Sequence, residues 1–266
     1  MIEIETNVKT IIGMIHVGAL PGTPQNCLPI KKIIAQAIEE IEIYLSCGID
    51  SVMIENMHDV PYIKCNVGAE IVASMTALAV ELRKITQIPL GIQILAGANS
   101  EALAVAQAAN FDFIRAEGFV FGHLADEGYI DSCAAELLRY RKMLGAESIA
   151  IFTDIKKKHS SHAVTADVGL EETIKAAEFF LSDGIIITGK ATGDAALIED
   201  VLIARQTTTL PVIIGSGITT ENISEYWDFA DAFIIGSHFK KNGSWKNSVE
   251  KEKVAKFLKK VLILRT

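Results

Sequence analysis

Cysteine is scarce in this sequence, basic side chains are outnumbered, and no long apolar run is present. Each shortage excludes something. The four cysteines among 266 residues, Cys27, Cys47, Cys65 and Cys133, form no C-x-x-C pair and no closely spaced set. That argues against a disulfide framework or a structural zinc site and for reduced thiols. Lys and Arg number 25 against 33 Asp and Glu, a formal charge of −8. A nucleic-acid surface needs a clustered positive face, so nucleic acid is not an expected partner. No apolar stretch reaches the roughly 18 residues of a membrane span. The start, Met1 to Glu5, carries acids where a secretory signal would carry a basic region. The expected location is the cytoplasm, with peripheral membrane contact and homo-oligomerisation left open.

What is there is a regular alternation. Half of the residues are hydrophobic, and Ile and Val crowd into eight short runs: Thr10–Ile15, Ser51–Glu55, Leu90–Leu95, Phe111–Arg115, Ser148–Phe152, Ile185–Thr188, Pro211–Ile214 and Ala232–Ile235. Helix-period segments separate them. In Lys31–Cys47, for example, Ile33, Ile34, Ala37, Ile38, Ile41 and Leu45 recur at spacings of three and four. Repeated βα units on a parallel sheet give this pattern, and eight of them predict one (β/α)₈ TIM barrel over 1–266. A doubly wound open sheet shares the same grammar and is the alternative. The connections entering the strands are short and carry Gly or Pro. Those leaving several strands are long: Gly18–Leu28, Asn56–Asn66, Ala116–Ile130 and Ile155–Ala166. In such barrels the loops after the strands form the active face.

Residues that carry chemistry gather on those same segments. Gly215-Ser216-Gly217 and Gly236-Ser237 close strands seven and eight, where barrels bind phosphate through backbone N–H groups; the plain alternative is a pair of tight turns. All six histidines, His16, His58, His123, His159, His162 and His238, fall on segments that follow strands. His16 ends strand one and should point into the mouth. His159 and His162 are three apart, too few ligands for a metal assignment, and solvation is the simpler reading. Glu55 follows strand two and Arg115 strand four, where the planar guanidinium suits a second anionic group of a ligand. On extended backbone Asp154 and Lys156 would lie on the same side, as a coupled acid/base pair or as a salt bridge closing the barrel top. The string Thr188-Gly189-Lys190-Ala191-Thr192-Gly193 has its lysine before the second glycine. It is therefore no Walker A loop, and Thr188 and Gly189 read as part of the loop lining the same mouth. The residues assign no cofactor and leave a metal undecided.

Taken together, Met14–Pro24, Ile54–Tyr62, Phe113–Glu117, Asp154–His159 and the two glycine-containing strand ends resemble the BtpA/SgcQ family along essentially the whole chain. The resemblance implies a barrel. It also implies kinship with a membrane-extrinsic factor of photosystem I biogenesis and with relatives from sugar-utilisation gene clusters. It carries over no catalytic residues. Two functions follow as expectations. One is an enzyme acting on a small phosphorylated sugar or nucleoside-like metabolite, with His16, Glu55, Asp154 and Lys156 doing the proton work. The other is a non-catalytic assembly or stability factor for a membrane complex, which would not need ionisable residues converging on one mouth.

Overall fold

The computed structural model describes residues 9–189 and 193–266. The acidic start Met1 to Glu5 and Lys190 to Thr192 of the string after strand six lie outside the described residues. Eight parallel strands close into a barrel in sequence order: β1 (Thr10–His16), β2 (Ser51–Glu55), β3 (Leu90–Gln93), β4 (Phe113–Ala116), β5 (Ala150–Asp154), β6 (Gly184–Ile187), β7 (Val212–Ile214) and β8 (Ala232–Ile235). The last strand pairs with the first, Thr10 beside Ala232 and Gly13 beside Ile235. The open-sheet alternative is excluded.

Each strand is covered on both faces, which is why the sequence reads as nearly continuous Ile and Val there. Successive residues point alternately into the barrel and out toward the helices. The inward set, including Ile12, Met14, Met53, Phe113, Phe152, Ile186, Ile213 and Ile234, packs as its own cluster. Phe113 fills the space that a β-carbon on Gly91 would occupy, since that atom would fall 2.1 Å from the ring. The outward set meets α1 (Ile30–Cys47), α2 (Ala69–Ile85), α3 (Asn99–Ala109), α4 (Ala134–Met143), α5 (Leu170–Phe179), α6 (Ile198–Thr207), α7 (Ile223–Tyr226) and α8 (Lys251–Leu264). The expected stripe of α1 is the one buried, with Ile33, Ala37 and Ile41 joined by Tyr44. At roughly 25 cal/mol per Å² of apolar surface, this two-layer burial dominates folding. The four-residue α7, too short to show a helical period, was not expected.

The bottom of the barrel is closed by a repeated device. Asp50, Asp112, Asp183 and Asp231 each precede an even-numbered strand. Each accepts the N–H of the residue that opens, or lies just inside, the odd-numbered strand before it: Ile11, Leu90, Ile151 and Val212, at 2.8 to 2.9 Å. An arginine neutralises each carboxylate: Arg265, Arg83, Arg141 and Arg205 respectively. The ionisable groups named at this end therefore have a structural reason to be there.

The strands expected at Phe111–Arg115 and Ser148–Phe152 begin and end later, at Phe113–Ala116 and Ala150–Asp154. The reason is that Phe111 and Ile149 still belong to the preceding turns, donating to the carbonyls of Ala106 and Ala146. The shift makes Asp154 the last residue of β5 instead of a loop residue. Above the barrel, the loops after β4 and β5 join in a small antiparallel sheet of His123–Ala125, Gly128–Ile130 and Ser160–Ser161. No described helix is long and apolar enough to cross a membrane.

Candidate active site

Adding two residues to each inward core position gives the layer that ends the barrel. From β1 to β8 it runs His16, Glu55, Gln93, Arg115, Asp154, Thr188, Gly215 and Gly236. Below this layer the barrel is aliphatic and aromatic; at the layer itself it becomes ionisable on one side and bare backbone on the other. A cavity of about 550 Å³ opens above it, lined also by Glu117, Lys157, Lys158, Tyr62 and Trp245.

Two ion pairs are locked in the rim. Arg115 grips Asp154 with both ends of its fork, Nε to Oδ2 and Nη2 to Oδ1, each at 2.8 Å and buried. The carboxylate holds the guanidinium protonated more firmly than usual, outweighing the burial that opposes it. Lys157 Nζ donates to Glu117 Oε2 at 3.0 Å, and Gln93 Nε2 donates to Oε1 of the same carboxylate at 3.0 Å. Burial works against the charged Lys157, and Glu117 more than offsets it, so this ammonium too is held protonated.

Glu55, His16 and Lys158 are not locked in this way. Glu55 is 8 % exposed, and its closest ionic neighbour is His16, with Nε2 3.7 Å from Oε2. Burial pushes the Glu55 carboxyl above its ordinary range, although Arg115 and Lys158 oppose this. Burial, with Lys240 and His58 adding to it, pushes His16 well below its ordinary value. His16 Nδ1 lies 3.2 Å from the Trp245 carbonyl. A carbonyl only accepts, so Nδ1 carries the proton and Nε2 faces Glu55 as an acceptor. The pair thus sets a carboxyl that gives up its proton less readily than usual against an imidazole that takes one up less readily than usual. Lys158 sits in the same cavity with no carboxylate within ion-pair distance among the described residues. Burial and then Arg115 lower its pKa.

On the opposite side the chain is bare. Gly217, Ile218, Ser237 and His238 line the cavity, and their N–H groups donate to no acceptor among the described residues. Ser237 and His238 open a short 3₁₀ turn (Ser237–Phe239), so their donors have no partner within it. The Ser216 hydroxyl is already engaged, donating to the Asp194 carbonyl at 3.0 Å and accepting from Gly189 N at 3.2 Å. Gly217 has φ +73°, and a β-carbon there would lie 2.1 Å from Ala195 N. It is a glycine for packing reasons, whatever it binds.

Of the residues singled out from sequence, His16, Glu55, Arg115, Gly215, Ser216, Gly217, Gly236 and Ser237 line the cavity; Asp154, Lys156, Thr188 and Gly189 do not. The expected Asp154–Lys156 pair is corrected. Both Asp154 oxygens belong to Arg115, and Lys156 adopts φ +45°, which breaks the extended geometry that the pairing assumed. Arg115 likewise serves Asp154 before any ligand. Thr188 Oγ1 is buried without a hydrogen-bond partner among the described residues. His123 and His162 lie 5.5 Å apart in the small sheet region. No group of three or more His, Cys, Asp or Glu among the described residues is placed to hold a metal. Gln93 and Trp245 were missed, and Lys158, which follows strand five along with Lys156, was given no role. Gln93 was legible as the lone polar residue on the inward face of β3, at the level of Glu55.

The molecule is thus a (β/α)₈ barrel with an ionisable, partly unpaired mouth. More narrowly, the chain belongs to the BtpA family, whose model matches residues 7–262. It is 51 % identical over 96 % of its length to an uncharacterized mitochondrial protein of Caenorhabditis elegans, of which it covers 94 %. It is 31 % identical over 93 % of its length to the photosystem I biogenesis protein BtpA of Synechocystis, of which it covers 86 %. Among solved structures it is similar to phosphoribosyl anthranilate isomerase from Thermus thermophilus, with a TM-score of 0.58 at 10 % identity, covering 96 % of this chain and 99 % of that one. Thiamine phosphate pyrophosphorylase from Pyrococcus furiosus gives 0.57 at 13 %, covering 97 % and 98 %. At such identities the likeness is one of fold.

Proposed function

We propose that this protein is an enzyme that performs acid–base chemistry on a small phosphorylated sugar or nucleoside-like metabolite. The observation that carries the reading is Glu55, a buried carboxyl with no ion-pair partner among the described residues closer than a histidine at 3.7 Å. Leaving such a group under-compensated costs stability, and a scaffold has no use for it. The phosphate is held by the backbone donors of Gly217, Ile218, Ser237 and His238, and anchors the substrate. Glu55 and His16 then pass a proton to or from the substrate, while Lys158 balances negative charge that develops there. Arg115, Asp154, Glu117 and Lys157 keep the rim in shape. Several structural neighbours are named for phosphorylated compounds, which agrees with the reading without fixing the substrate. The unpaired cysteines, Cys27 exposed among them, suit a reducing compartment, and we assign the cytoplasm.

The test is ligand-dependent thermal stabilisation. A phosphorylated ligand at 100 times its Kd adds about 2.7 kcal/mol, which for a chain of this size raises Tm by roughly 5 °C. Ser237→Asp puts a carboxylate among the donors and should remove that shift. Gly217→Asp, the more obvious choice from sequence, would also wreck local packing. Glu55→Gln should keep the shift and lose turnover. No stabilisation of the wild type by inorganic phosphate or by any phosphate ester at millimolar concentration refutes the proposal.

A further inference from the structure

Gln93 is 2 % exposed, lines the cavity, and stands beside Glu55 in the strand register. Its amide has two ends with different needs. Nε2 donates to Glu117 Oε1 at 3.0 Å. Glu117 Oε2 in turn accepts from the Lys157 ammonium at 3.0 Å, and a carboxylate in such an ion pair only accepts. Glu117 is itself pinned through its backbone, with its N–H donating to Asn99 Oδ1 and its carbonyl accepting from Asn99 Nδ2. The amide is therefore not free to turn over, and the end facing away from Glu117 must be the carbonyl. That oxygen, Oε1, is buried and has no hydrogen-bond partner among the described residues. Buried acceptors in folded proteins are nearly always satisfied, and one held open by a rigid network is satisfied by what enters the site.

We infer that Gln93 is a specificity-determining residue whose carbonyl accepts a hydrogen bond from a hydroxyl of the ligand's uncharged part, next to the atom that Glu55 serves. The inference rests on the proposed function and narrows its substrate class to polyhydroxylated phosphate esters. Lys157 and Glu117 are positioning residues that fix which end of the amide is presented. A ligand lacking the hydroxyl leaves Oε1 buried and unpaired, so discrimination should be about tenfold or more in Kd.

The probes are inorganic phosphate and a panel of aldopentose and aldohexose phosphates, each measured by calorimetry beside analogues deoxygenated at one carbon. Wild-type protein should bind at least one ester about tenfold more tightly than its deoxy partner. In Gln93→Met, similar in size and without an acceptor oxygen, that ratio should fall below about twofold while inorganic phosphate still binds as in wild type. A wild type that binds phosphate and treats every hydroxylated and deoxy pair alike overturns the inference, and that comparison needs no variant. So does a Gln93→Met protein that discriminates as strongly as wild type. Failure of inorganic phosphate and of every ester to bind falls on the proposed function instead, and takes this inference with it.

Discussion

Replacing Asp154 by Asn separates a structural from a catalytic role for the Arg115–Asp154 pair. In the wild type both carboxylate oxygens accept from the guanidinium at 2.8 Å, and both side chains are nearly inaccessible, 5 % and 1 % exposed. Asparagine keeps the shape. It leaves one acceptor oxygen, sets an NH₂ group against a donor, and strands a buried positive charge. Breaking a buried pair from one side costs roughly 3–5 kcal/mol. With an unfolding entropy of about 2.1 cal/mol/K per residue, 266 residues give roughly 0.56 kcal/mol/K, so Tm should drop by roughly 5–9 °C. The double variant Arg115→Met with Asp154→Leu removes both charges and should regain most of the loss, to within about 1 kcal/mol of wild type. Thermal unfolding followed by circular dichroism at neutral pH reads both quantities. A loss below about 1 kcal/mol in Asp154→Asn, or a double variant no better than the two single changes added together, refutes the structural assignment.

Lys158→Met should lower kcat by at least about a hundredfold on any substrate found, and Lys156→Met should change it less than about twofold; equal effects would undo the correction from one lysine to the other. His16 is held below its ordinary value of 6.5, so the unfolded chain binds the extra proton and stability falls as pH drops from about 6.5 toward the folded pKa. His16→Gln should accordingly flatten the acid limb of a Tm-against-pH curve between about pH 6.5 and 5, and an unchanged limb argues against a buried neutral imidazole. Glu40 accepts from Lys240 Nζ at 2.7 Å and from Val249 N at 3.0 Å. Glu40→Ala should therefore cost roughly 3–5 kcal/mol in urea unfolding, and a loss under about 1 kcal/mol would show that the pair is relaxed in solution.

The barrel was legible because both signals that specify it are local. Apolar runs such as Ile185–Thr188 and helical stripes such as Ile33, Ala37 and Ile41 repeat at fixed periods, and eight repeats close a ring. The mouth was legible as a place, since His16, Glu55 and the glycines of strands seven and eight all end strands. The partners within it were not. Which lysine enters the cavity depends on a single backbone turn, φ +45° at Lys156, and a rule built on extended chain misses it. The grip of Arg115 on Asp154 joins residues 39 apart on neighbouring strands, and nothing in either residue's surroundings along the chain announces it. The Asp–Arg ties at the barrel floor escaped notice for the same reason.

Those ties carry a consequence for how the ring is stitched. Each arginine belongs to the stretch of chain before the seam that it crosses: Arg83 leaves α2 to reach Asp112, Arg141 leaves α4 to reach Asp183, Arg205 leaves the end of α6 to reach Asp231. Arg265, just past α8, returns to Asp50 and also donates to the carbonyl of Lys9 at 2.6 Å. The seam between α8 and β1 is thus fastened by the same chemistry as the other three, although no peptide bond crosses it. A circularly permuted chain, opened between α2 and β3 and joined by a short linker between Arg265 and Lys9, would keep all four ties and the whole mouth intact. Such a permutant should fold to the same barrel.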